Sequence, residues 1–194
     1  MPPTPAEQNR DREEAANTYL ITWVCYGAWL PGQSGAVPRT MNRFRGPLPE
    51  PDASREQESR IRMTQPPYLM DALRRRVVLT SVQEVCCCRG WNLLAVHVRT
   101  NHVHVVTTAD RTPVQVMIAM KAYSSRALNK SALDGPERRR WARHASTRYL
   151  WTGDAVQAAI EYVVREQGEF MSVFENPSLA DAQGSLGWHR DTEP

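Results

Sequence analysis

Asn101, His102, Val103 and His104 form the segment of this chain with the most specific chemistry. On an extended strand successive side chains alternate faces, so His102 and His104 point one way while Val103 and Val105 pack on the other side. Two imidazoles on one face, about 7 Å apart by strand rise, are spaced to hold one divalent ion between them. A pair of ordinary histidines on a half-buried strand has the same pattern, so the reading needs support from elsewhere in the chain. His97 is the neighbouring candidate. With Val98 opposite His102 in a hairpin, His97 faces Val103 and falls on the far side of the sheet; a slip of one residue would reverse that placement. His144, in a basic loop, and His189, near the end, are expected to be exposed rather than ligating. Cys86, Cys87 and Cys88 are adjacent, Cys25 stands alone and no CxxC pair is present. Reduced, mostly buried thiols are therefore expected, with neither a zinc site nor a disulfide framework.

Tyr162 is the second group that could do chemistry. In its segment Val156, Ile160, Val163 and Val164 recur at helical spacing and make a stripe that must lie on a sheet. Tyr162 sits on the flank of that stripe beside Ala155, Ala158 and Ala159, so its phenol has small neighbours and can protrude into a cleft. Taken alone, a helical tyrosine is most simply amphipathic packing.

Positioning these groups requires a sheet and a helix, and the chain supplies both in a definite order. Residues 18–27 read as a strand rich in aromatic and β-branched side chains, closed by Gly27. Residues 29–67 are proline-rich and irregular, a long connection of the kind that is often functional. A helix is predicted over 68–88, with Gly90 just past its end. Residues 91–98 and 102–108 read as an antiparallel hairpin. Thr112 and Pro113 open a second helix, running to about residue 129. Residues 146–151 read as a short strand. Thr152 or Asp154 caps a last helix over 155–167, which Gly168 stops. The order is β-α-β-β-α-β-α. Its first six elements are the ferredoxin-like arrangement, an α+β fold with a four-stranded antiparallel sheet and helices on one face. A C-terminal helix carrying the tyrosine follows.

At 194 residues and 22.0 kDa the chain has room for one ordinary domain with tails. We expect an arm over 1–16, a domain over 17–175 and a loose tail over 176–194. Hydrophobic residues at 41% and charged residues at 23% exclude wholesale disorder. No run approaches the ~18 apolar residues of a membrane span, and the first residues lack a signal-peptide core, so a soluble, cytoplasmic protein without a membrane partner is expected. The net charge of +3 is unevenly spread. Both ends are acidic, whereas the stretch 121–148 holds Lys121, Arg126, Lys130, Arg138, Arg139, Arg140, Arg143 and Arg148 against only Asp134 and Glu137. A basic centre between acidic ends suits a polyanion, and arginine suits phosphate.

Asn101-His102-Val103-His104, the Ser124-Ser125-Arg126 run within 121–129, and Tyr162 followed by Val163-Val164-Arg165-Glu166-Gln167 occur in this order and spacing. Together they resemble the single-tyrosine HUH transposases, the IS200-like transposase family, nearest the REP-associated tyrosine transposases. The resemblance covers roughly residues 17–169 and implies a metal-dependent single-stranded DNA endonuclease and strand transferase acting on hairpin-containing DNA. By the same resemblance His102 and His104 are metal ligands for Mg2+ or Mn2+, and Tyr162 is the nucleophile that leaves a 5′-phosphotyrosine. The family adds a polar ligand on the tyrosine helix. Glu166, four residues on, lies about 40° from the tyrosine on a regular helix, whereas Gln167 has the expected residue type but lies about 140° away; both remain candidates. Tyr123 is a rival nucleophile that matches no tyrosine the family requires. Lys121, Ser124, Ser125 and Arg126 are expected to line the DNA-facing helix, and Arg138, Arg139, Arg140 and Arg143 to track the backbone. Trp141, Tyr149 and Trp151 are stacking platforms or sheet packing. The resemblance leaves open a monomer or a homodimer, and a bacterial, nucleoid-associated mobile-element enzyme or a domesticated one. The alternative function is a catalytically silent hairpin-DNA-binding regulator of the same fold.

Overall fold

Tyr19, Ile21, Trp23 and Cys25 are buried along β1 (Asn17–Cys25), and the residues between them are only partly so. That period of two marks a strand whose one face lies against a large core. The computed structural model describes residues 16–34 and 50–177; most of the expected arm and tail, and residues 35–49 of the proline-rich stretch, lie outside them. The remaining elements are α1 (Ala53–Ile61), α2 (Ala72–Arg89), β2 (Asn92–Val98), β3 (His102–Ala109), α3 (Pro113–Lys130), β4 (Trp141–Tyr149), α4 (Gly153–Val164) and β5 (Ser172–Glu175). Local chemistry sets the helix ends. Asp71 accepts from the Arg74 amide to start α2, and Gly90, at φ 66°, closes it in the left-handed conformation. Thr112 and Gln115 cap α3 reciprocally, with Pro113 in the first turn.

The sheet order is β4-β1-β3-β2-β5, antiparallel throughout. Four of these strands, with α2 and α3 packed on one face, make the expected ferredoxin-like core. That face is filled by Tyr19, Ile21, Trp23, Val96, Val98, Val103 and Val105. The opposite face carries α4, whose Ala159, Ile160, Val163 and Val164 meet Leu94, Ala95, Val106 and Leu150.

Several boundaries differ from the sequence reading. The sheet has a fifth strand, β5, on the free edge of β2, where Asn176 ties it down through Leu93 O and Leu94 O. β4 begins at Trp141, not 146, because Ser146, Thr147, Arg148 and Tyr149 all pair with β1 and the ladder continues past a bulge to Cys25 and Trp141. The stretch 29–67 contains the exposed helix α1. The last helix ends at Val164, three residues early.

The hairpin register matters most for the site. Arg99 N donates to His102 O at 2.8 Å, Val98 pairs with Val103, and His97 pairs with His104. Only Thr100 and Asn101 therefore remain for the turn, a favoured two-residue connection. The register is one residue from the expected one. His97 consequently shares a face with His102 and His104, opposite to its expected placement.

Candidate active site

His102 and His104 stand side by side on β3, on the face covered by α4, with ring centroids 4.6 Å apart and planes at 80°. Each ring is held at Nδ1. Asn101 Oδ1 lies 2.7 Å from His102 Nδ1; a carbonyl oxygen only accepts, so this nitrogen donates and the lone pair sits on Nε2. His104 Nδ1 lies 2.7 Å from Thr22 Oγ1, its cross-strand neighbour on β1. Trp29 leans on His102 with centroids 4.9 Å apart. Burial, with Arg99 and His97 adding to it, pushes the His102 pKa down to about 4. Burial and the His102 charge push His104 down to about 3. Both imidazoles are thus neutral near pH 7, the form that binds a metal.

Tyr162 reaches this pair from α4. Its ring centroid is 5.4 Å from that of His104 at an interplanar angle of 77°, and at 38% exposure the residue opens to solvent. The stripe of Ala159, Ile160 and Val163 fixes the helix on the sheet, so the next position around, Tyr162, falls at the rim over β3.

Gln167 and Glu166 are separated by the chain path. Helical geometry stops at Val164, and Gly168 turns at φ 77°. The angular argument for position +4 therefore does not apply. The Gln167 amide comes back over the helix end, donates Nε2 to Tyr162 O at 3.0 Å, and faces both imidazoles, whose protonated forms it favours. Glu166 is exposed.

A divalent ion fits what is here. Among the described residues no group of three His, Cys, Asp or Glu side chains is placed to hold a metal. The candidate donor set is two neutral imidazoles with the Gln167 amide beside them. His104 Nε2 is buried without a hydrogen-bond partner, an orphaned ring nitrogen of the sort a bound ion explains. Nδ1 bonds of the kind made by His102 orient metal-binding imidazoles generally.

The expected DNA contacts divide sharply. Ser124 is fully buried and shares a hydrogen bond of 2.8 Å with Ser81, so it joins α3 to α2 and has no surface for phosphate. Ser125 Oγ accepts from Trp141 Nε1 at 2.9 Å. Lys121 Nζ donates to Ala142 O at 3.0 Å, and burial pushes its pKa down to about 8. Arg140, 4% exposed, pairs with Asp134 at 3.1 Å. Arg138 spans Gln65, Pro66 O and Pro67 O, each at 2.9 Å. These side chains hold the basic loop in place. Arg126, Arg139 and Arg143 are exposed, and Arg126 lies 4.5 Å over the Tyr123 ring. Tyr123, partly buried, packs against the core between the sheet and α2–α3, on the other side of the sheet from the histidine pair. Tyr149 and Trp151 are stacked at 4.9 Å and 8°, with Trp151 76% exposed.

Thr22, Trp29 and Arg99 were not singled out in the sequence. No local pattern marks them; cross-strand pairing and the path after β1 bring them to the pair.

A ferredoxin-like sheet, a histidine pair on one of its strands and a tyrosine helix over that pair are thus combined in one chain. The family model described as transposase IS200 like matches residues 66–165, and the chain belongs to that family. A solved structure of a REP-associated tyrosine transposase bound to a REP hairpin is similar at a TM-score of 0.45 and 10% identity. The similarity covers 77% of this chain and 66% of that one. No curated protein matches the chain.

Proposed function

We propose that this protein cleaves and rejoins single-stranded, hairpin-containing DNA through Tyr162, with a divalent cation held by His102, His104 and the Gln167 amide. The observation that carries the reading is the ring contact of 5.4 Å between His104 and Tyr162, on a face where His104 Nε2 has no partner. Tyr162 Oη attacks the scissile phosphorus, the bond to the 3′-oxygen breaks, and the 5′-phosphate stays on the phenol as a phosphotyrosine. The phenol's proton passes to solvent, and the leaving 3′-oxygen takes a proton from solvent to become a hydroxyl. When bound, Mg2+ or Mn2+ would polarise the phosphate and offset charge that develops on it. Asn101 and Thr22 orient the two imidazoles, and Gln167 ties the helix end to the pair. Because nucleophile and ligands meet within one chain, the geometry supports a site that needs no second copy. Of the residues expected to contact DNA, Arg126, Arg139 and Arg143 are exposed and available to backbone phosphates.

Incubation with a single-stranded hairpin oligonucleotide and manganese tests the reading. A covalent protein–DNA adduct is expected with the wild type. None is expected with Tyr162→Phe, His102→Ala or His104→Ala, while hairpin affinity stays within a few-fold because it comes mainly from phosphate contacts. Binding by the wild type without an adduct would instead select the silent regulator.

A further inference from the structure

We infer that His97 is a positioning residue for Tyr162, a buried imidazole that anchors the end of the tyrosine helix to the strand pair carrying the two other histidines. The inference rests on the functional reading above. His97 is fully buried in β2, directly opposite His104 in the ladder. Its Nδ1 lies 2.9 Å from Val163 O, and since a carbonyl oxygen only accepts, Nδ1 carries the proton and donates.

Val163 immediately follows Tyr162, and its carbonyl belongs to the last turn of α4. The last carbonyls of a helix have no partner within it. Here each of three finds a different one. Glu161 O accepts from Arg165 N at 2.8 Å, Tyr162 O from Gln167 Nε2, and Val163 O from His97. The first two partners lie on the turn that follows the helix, a turn that the Arg165–Glu175 pair at 3.2 Å and the hydrogen bond from Arg99 to Glu169 O fasten at the sheet edge. His97 alone of the three belongs to the sheet. Together with the apolar stripe that seats α4, it therefore orients the helix end, and the phenol on it, relative to His104.

The other nitrogen supports this role. His97 Nε2 is buried with no hydrogen-bond partner. An apolar side chain of similar volume would avoid that desolvated lone pair, so packing alone does not explain a histidine at this position. A donor for Val163 O does.

The test compares His97→Asn with His97→Leu on the hairpin oligonucleotide with manganese. Asparagine keeps a donor at the δ position; leucine fills similar volume without one. Single-turnover adduct formation is expected to slow on the order of 10- to 100-fold in His97→Leu, the scale of a misplaced reacting group. In His97→Asn it should stay within a few-fold of wild type. Hairpin affinity should not move in either, because the phosphate contacts are intact. Simple destabilisation would lower affinity and rate together and would not follow the donor. Where His97→Leu does not fold, His97→Gln, with its donor one bond further out, takes its place and is expected to be slow. Amide hydrogen exchange of the turn after Val164 reads the anchor without catalysis and should be faster in His97→Leu than in His97→Asn. Equal rates in wild type and His97→Leu, or equal exchange in the two variants, overturn the proposal. Absence of any adduct with the wild type overturns the functional reading instead, and the exchange comparison then still decides the role of His97.

Discussion

Arg139 and Arg140 are adjacent, yet removing each should have an opposite effect. The Arg140 guanidinium is almost wholly buried and meets Asp134 at 3.1 Å, Asn129 Oδ1 at 2.6 Å and Gly135 O at 3.2 Å. Asp134, also buried, takes Arg74 at 3.0 Å and the Tyr68 hydroxyl at 2.5 Å. Truncating one partner of a buried pair costs about 3–5 kcal/mol where the charge is left uncompensated, and Arg74 and Tyr68, which stay on Asp134, place this loss at the lower end. In a chain of this size each kcal/mol lowers Tm by about 2–4 °C, so Arg140→Ala should melt towards the lower end of a range of about 6–20 °C below wild type. Arg139 donates its backbone amide to Gln65 and leaves its guanidinium in solvent, 5.9 Å from the Tyr26 ring. Arg139→Ala should leave Tm unchanged and flatten the dependence of log binding constant on log salt by about 0.7, the value for one single-strand phosphate contact. Thermal melts and hairpin binding across a salt series measure both quantities. Should Arg140→Ala melt like wild type and flatten the salt slope, the assignment of Arg140 to the loop's framework is wrong.

Two further outcomes follow from the site. Gln167→Ala should raise the manganese concentration needed for half-maximal cleavage far more than Glu166→Ala, because only Gln167 turns back over the helix end; equal midpoints would remove the amide from the donor set. The metal-free protein should lose stability as pH falls from about 6.5 towards 4. Burial lowers the folded pKa of His102 to about 4 and of His104 to about 3, so below 6.5 the unfolded chain binds more protons than the folded one. The stability is fully present above pH 6.5 and drains through the folded values. Urea midpoints at pH 7.5 and 5.0 with chelator present check this, and a flat profile would mean the imidazoles are not desolvated.

What the sequence by itself determined was local. The alternation that puts His102 and His104 on one face is a property of any extended strand. The cap at Thr112 and Pro113 needs only its own neighbours, and the stripe of Val156, Ile160, Val163 and Val164 specified a helix with Tyr162 on its flank. These features carried the ferredoxin-like order; the association of histidine pair with tyrosine was implied by the resemblance to the IS200-like family. Only the tertiary structure decided whatever depended on a partner distant in sequence. His97 changed face because the turn holds two residues rather than three, a slip too small for composition to register yet enough to move a side chain to the other face. Gln167 turns back to Tyr162 O because α4 stops at Val164, after which helical angles no longer govern direction. The arginine run divided into framework and surface because Asp134, Gln65 and the carbonyls of Pro66 and Pro67 happen to stand beneath Arg138 and Arg140 and not beneath Arg139. A charge read along the chain has a sign but no burial, and burial is what turns a phosphate contact into a structural pin.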